Sequence, residues 1–101
     1  MVLEVAMLNV KSGMEQEFEN AFKKASALIS SMDGYYSHEL HRCIEIPEKY
    51  LLLARWRTVE DHTVGFRNSS KYQEWKQLLH HFYAPFPVVE HFNEIISYSR
   101  D

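Results

Sequence analysis

An α+β fold of the ferredoxin-like type is what this sequence predicts: a four-stranded antiparallel sheet in the order βαββαβ, with both helices on one face. Three observations carry that expectation. Residues 2–10, 35–46, 50–57 and 88–98 are short apolar or aromatic runs that read as strands. Between the first and second runs, and again between the third and fourth, the apolar spacing changes to that of a helix. A chain of 101 residues has room for one core only, which predicts one domain over 1–101.

Each element has its own local reason. Val2, Leu3, Val5, Met7, Leu8 and Val10 put apolar side chains on both faces of the first strand. Ser12 with Glu15 reads as a capping box, and Met14, Phe18, Phe22, Ala25, Ile29 and Met32 then fall on one helical face. Glu15, Glu17 and Glu19 precede Lys23 and Lys24, the order that the helix dipole favours, and Asp33-Gly34 ends the helix. Tyr35–Ile46 and Tyr50–Arg57 form the next two strands, joined across Pro47-Glu48-Lys49. Thr58 with Asp61 opens a short helix that aligns Val59, His62 and Phe66 and is weakened by Gly65. Ser70 with Gln73 caps a longer helix with Tyr72, Trp75, Leu78, Leu79 and Phe82 inward, stopped by Pro85-Phe86-Pro87. Val88–Tyr98 completes the set as the last strand.

Composition narrows the function classes. At 46% hydrophobic and 14% aromatic the chain is too apolar to be disordered. A net charge of −3 with one adjacent basic pair, Lys23-Lys24, argues against a nucleic-acid surface. The one cysteine, Cys43, reads as a small buried strand residue and fits a reducing compartment. Glu4 interrupts the first apolar run, so no signal peptide opens the chain, and no stretch nears the ~20 apolar residues of a membrane span. These points predict a cytoplasmic protein with neither a nucleic-acid nor a membrane partner. Strands one and three, apolar on both sides, leave an open sheet face that a second copy would cover, so a homodimer is expected.

The segments VLEVAMLNVKSGMEQEFENAF, YLLLARW, TVEDH and NSSKYQEW follow in an order that resembles the antibiotic biosynthesis monooxygenase family of dimeric α+β barrels. The resemblance covers nearly the whole chain. It implies a ligand held between sheet and helices, and subunits joined with help from the C-terminal strand. It also implies a cofactor-independent monooxygenase of a small electron-rich aromatic or quinol-type substrate. The family spans several chemistries, so a non-catalytic small-ligand-binding stress protein is the alternative, and turnover stays open.

A cofactor-free oxygenase needs a base, a donor for a developing oxyanion, and apolar walls. Asn9, His62 and His80 are the catalytic candidates. Asn9 could orient a substrate oxygen or dioxygen, as an Asn at a comparable strand position does in haem-degrading relatives. His62 is a base suited to neutral pH, and Arg67 could hold an anionic oxygen. Phe66, Tyr72, Trp75 and Leu79 supply an aromatic and apolar stripe for the substrate. His80 and His81 point about 100° apart, so one of them faces the cavity. Neither Glu90 nor His91 completes an established ligand spacing with them, and no metal is assigned. His38 and His41 fall on opposite strand faces. No cofactor is assigned: where the haem-degrading relatives carry a Trp and an iron-binding His, this chain reads Val64-Gly65-Phe66 and Trp75-Lys76. Haem ligation by a displaced His80 therefore ranks last.

Overall fold

A computed structural model describes residues 1–100. β1 (Val2–Asn9), β2 (Tyr35–Arg42), β3 (Lys49–Trp56) and β4 (Val89–Phe92) form one antiparallel sheet in the spatial order β2-β3-β1-β4. α1 (Glu15–Ser30) and α2 (Ser70–Leu79) cover one face of it, as the ferredoxin-like reading requires.

Alternation decides which side chains meet the helices. Ala6 and Leu8 of β1, Val10 just beyond it, and Tyr50, Leu52, Ala54 and Trp56 of β3 are buried, and so are Phe18, Phe22, Ala25 and Ile29 of α1. Phe18 lies at the centre, with its ring edge-on to Tyr50 at 4.9 Å and Phe82 at 5.6 Å. The opposite sheet face carries Leu3, Val5 and Met7 beside their β3 partners Arg55, Leu53 and Leu51.

Several boundaries differ from the sequence reading. β2 ends at Arg42 rather than Ile46, because residues 43–48 close a broader loop in which Cys43 N–H donates to the Lys49 carbonyl at 2.8 Å. Cys43 is therefore half-exposed in that loop, not buried in a strand. β4 stops at Phe92 rather than Tyr98, since Phe92 already pairs with Leu3 near the start of β1 and the ladder goes no further. Ser12 does not cap α1; the Glu15 carboxylate instead accepts from Gly13 N–H at 2.9 Å, one residue beyond the Ser12 position. At α2 the cap is Ser69, whose hydroxyl accepts from Tyr72 N–H at 3.2 Å, and not Ser70. The Thr58–Asp61 cap forms as read: Thr58 N–H donates to Asp61 and Asp61 N–H to the Thr58 hydroxyl, each at 3.1 Å.

That cap is locked to the α1–β2 turn. Gly34 has φ +82°, and a Cβ there would collide with the Asp61 side chain. Asp61 cannot easily retreat, because Arg57 holds both of its oxygens at 2.9 and 3.0 Å. Gly34→Ala should therefore destabilise the fold by about 2 kcal/mol or more, the left-handed strain adding to the clash. Urea unfolding checks this. A midpoint equal to that of the unsubstituted chain would mean that the turn relaxes freely.

Candidate active site

Residues 61–66 form one turn of π-helix, in which Arg67 N–H donates to the His62 carbonyl at 3.1 Å. The widened turn brings His62 and Arg67 to the same side, and such single π-turns recur at functional sites. Both residues line a cavity of about 400 Å³ between sheet and helices. β1 and β3 supply its floor with Glu4, Ala6, Leu8 and Leu52. Phe66, Tyr72 and Trp75 form one wall, their rings meeting edge-on at 5.3 Å (Phe66–Tyr72) and 5.5 Å (Phe66–Trp75). His80, Tyr83, Phe86 and Pro87 close the other side.

The loop that carries those last residues is fastened to the end of β1. Lys11 N–H donates to the Phe82 carbonyl and Ala84 N–H to the Asn9 carbonyl, each at 2.9 Å. Phe86 then meets His80 edge-on at 4.9 Å.

The polar centre of the cavity is a carboxyl. Glu4 is buried on β1, where its even-numbered neighbours are core residues. Its Oε1 accepts from Trp56 Nε1–H at 2.9 Å and lies 3.4 Å from His62 Nε2. The other side of the His62 ring, Nδ1, is 2.9 Å from His91 Nε2. The His62 ring also stacks on Trp56, with centroids 5.3 Å apart.

Burial sets the charges here. It pushes the Glu4 carboxyl above the ordinary carboxylate range, against the pull of the Trp56 hydrogen bond and the Arg67 charge. It drives His62 down to about 3, helped by Arg67 and His91. His80 and His91 are lowered as well, again mainly by burial. With a neutral imidazole, the Glu4–His62 contact is a polar contact and not an ion pair. Burial likewise raises the Tyr83 phenol, which stays protonated and able to donate.

The sequence-predicted residues divide in two. His62, His80, Phe66, Arg67, Tyr72 and Trp75 line the cavity together. Asn9 lies at the strand end opposite Lys49, outside the cavity lining, with its backbone oxygen engaged by the loop. Leu79 is fully buried in the core rather than in the cavity wall. His38 sits on the far side of α1, where its ring nitrogens meet the Tyr35 hydroxyl at 2.6 Å and the Ser26 hydroxyl at 2.8 Å. Sequence reasoning missed Glu4 and Trp56, and weighed His91 only as a metal ligand. The signal for Glu4 was its phase: it falls in step with Ala6, Leu8 and Val10, so alternation turns it inward.

The fold and site define a class: a ferredoxin-like domain that encloses an aromatic cavity with one buried carboxyl and a neutral histidine. The family model for antibiotic biosynthesis monooxygenases matches residues 1–78. The chain belongs to that family, as the sequence resemblance indicated. It is 61% identical over 95 residues to the protein YczJ of Bacillus subtilis strain 168, covering 94% of this chain and all of that one. A family protein solved from Bordetella bronchiseptica superposes with a TM-score of 0.90 at 36% identity, covering 94% of this chain and 97% of its own. SnoaB of Streptomyces nogalater, a cofactor-independent oxygenase, shares the fold with a TM-score of 0.77 at 20% identity, over 95% of this chain and 94% of that one. Among the described residues, no helix is long and apolar enough to cross a membrane, and no group of three metal-ligating side chains converges.

Proposed function

We propose that the protein is a cofactor-independent monooxygenase of a small electron-rich aromatic or quinol-type substrate bound in the cavity. The observation that carries this reading is a buried carboxyl, Glu4, facing an otherwise aromatic and apolar enclosure of about 400 Å³. That volume suits a ligand of two or three fused rings. Both Glu4 contacts fall on Oε1, leaving Oε2 for the ligand.

The chemistry balances without a redox cofactor. Glu4, as carboxylate, takes a proton from the acidic C–H or O–H of the substrate, and the resulting carbanion or phenolate passes electrons to dioxygen. For a substrate CH₂ group, one oxygen atom becomes the product carbonyl and the other leaves as water. Four electrons leave the carbon, and dioxygen accepts four. Arg67 stabilises the developing oxyanion, and the aromatic walls exclude water. His62 positions Glu4 rather than acting as the base, since burial makes its imidazole a weak base, its Nδ1 is engaged by His91 and its Nε2 faces Glu4.

Oxygen consumption by metal-stripped protein against a panel of anthrones, hydroquinones and other oxidisable phenols tests the proposal. Enzyme-dependent uptake with one oxygen atom in the product supports it. Tight binding of panel compounds without uptake would replace it with the alternative, a ligand-sequestering protein.

We also place the protein in the cytoplasm as a homodimer joined through the open sheet face and the C-terminal segment. Leu3, Val5, Leu51 and Leu53 lie on that face, with Met7 and Phe92 about half exposed. Beyond β4, Ile95 and Ile96 are 88% and 70% exposed, an apolar arm that a partner would cover. Sedimentation equilibrium should give twice the mass of 12.0 kDa. Leu53→Asp should shift it to monomer, since burying an unpaired charge costs several kcal/mol, of order 2–5. A monomeric unsubstituted protein would overturn the dimer.

A further inference from the structure

We infer that Glu4, His62 and His91 form a tautomer-coupled proton relay that links the cavity carboxyl to the outer edge of the sheet. The inference rests on the proposed role of Glu4 as base and adds how that buried group comes to lose its proton.

Geometry gives the path. Glu4 and His62 both line the cavity, but His91 does not; it sits on β4 directly opposite Glu4 and is half-exposed. His91 therefore reaches His62 from behind, by way of the 2.9 Å contact between His62 Nδ1 and His91 Nε2. The 3.4 Å separation of His62 Nε2 from Glu4 Oε1 is the long link. Closing it by about 0.3 Å brings it within hydrogen-bond range.

The tautomers follow from counting protons. Two neutral imidazoles that share one hydrogen bond must have one donor and one acceptor. When Glu4 is protonated, its Oε1–H faces His62 Nε2 as acceptor, so His62 carries its proton on Nδ1 and donates to His91 Nε2. His91 then carries its own proton on Nδ1. Ionisation moves each proton one place outward: Glu4 Oε1–H to His62 Nε2, His62 Nδ1–H to His91 Nε2, and His91 Nδ1–H to water. One proton leaves, both imidazoles end neutral, and both have changed tautomer. Trp56 Nε1–H, donating to Oε1, stabilises the carboxylate formed.

Other charged and titratable groups around the array leave the path clear. Arg67, from the end of the π-turn, favours the carboxylate and disfavours an imidazolium at His62 or His91. Tyr72 and His80 from α2 and its extension, with Tyr83, line the same cavity, but none of them hydrogen-bonds to the three relay groups. α1 contributes Ile29 alone to the lining. His62 and His91 are thus positioning residues acting through Glu4. Their purpose is to let Glu4 ionise while a ligand fills the cavity and separates it from bulk water.

The test is ¹⁵N NMR of the histidine rings in the free protein, with Glu4 ionisation followed by its ¹³C carboxyl shift. We expect His62 to exchange an Nδ1–H for an Nε2–H signature in step with the Glu4 titration, and His91 to do the same. In Glu4→Gln both rings should keep one tautomer across that range. The relay is overturned if His62 keeps the same protonated nitrogen throughout, or if His62 switches while His91 does not. These readouts need no substrate. A silent oxygen-uptake panel would therefore sink the oxygenase reading and leave the relay standing, whereas fixed tautomers in an active oxygenase would do the reverse.

Discussion

Glu4→Gln should lower kcat by a factor of about 10²–10⁴, the usual worth of a positioned general base. That factor corresponds to about 3–5 kcal/mol of transition-state stabilisation. The substitution preserves shape and lets Trp56 Nε1–H keep a carbonyl acceptor at the same site, so the cavity should still bind ligand. KM should accordingly change much less than kcat. In the unsubstituted protein, kcat/KM should rise with pH through an apparent pKa above the ordinary carboxylate range, because burial has raised Glu4. That rise should vanish in the variant. His80→Gln is the discriminating control, since His80 also lines the cavity and carries an imidazole, the usual general base near neutral pH. A full kcat in Glu4→Gln, with the loss appearing in His80→Gln instead, would move the base to His80.

How far the sequence foretold this site depends on which kind of signal each residue gave. The sheet and its helices were legible because long-range alternation and helical spacing agree over many residues: Ala6 and Leu8 on β1, Phe18, Phe22 and Ile29 on α1. His62, Phe66, Arg67, Tyr72 and Trp75 were legible as a cluster because they sit on neighbouring turns of one segment. Glu4 and His91 were not, because they are 87 residues apart in number and meet only through the β1–β4 ladder, where they face each other. Glu4 was read merely as an interruption of an apolar run, although its phase marked it as inward. Asn9 differs in the opposite way: an amide flanked by apolar residues reads as a site residue, and the structure places it outside the cavity lining, at a strand end that anchors the 80–87 loop. Leu79 was in phase with the cavity stripe but lies one layer too deep. Register and depth come from tertiary packing, which the local pattern of residues does not encode.

The same buried pair that makes the site should also write itself into the acid stability of the fold. His62 has its folded pKa depressed to about 3, against about 6.5 when unfolded. The unfolded chain therefore takes up a proton below pH 6.5 that the folded chain refuses. The contribution of His62 is complete above pH 6.5 and is lost as pH falls towards 3, with a limiting slope of about 1.4 kcal/mol per pH unit. Allowing for relaxation of the site, we expect the loss to total about 2–4 kcal/mol. Glu4 acts with the opposite sign. Its folded pKa is raised, so its contribution is present below the unfolded value of 4.5 and is lost as pH rises through the folded one. The carboxylates Glu15, Glu39 and Asp61, lowered by their hydrogen bonds, add to the acid loss in any variant. The informative quantity is thus a difference between proteins. Urea midpoints taken from pH 7 to pH 4 should fall more steeply for the unsubstituted chain than for His62→Gln, which cannot take up that proton. Over the same range Glu4→Gln should gain on the unsubstituted chain as pH rises, because it no longer buries an ionising group. Parallel curves for His62→Gln and the unsubstituted protein would mean that His62 accepts a proton in the folded state as readily as in the unfolded one. The enclosed Glu4–His62 contact would then be open to water, and the buried base it supports would lose its physical ground.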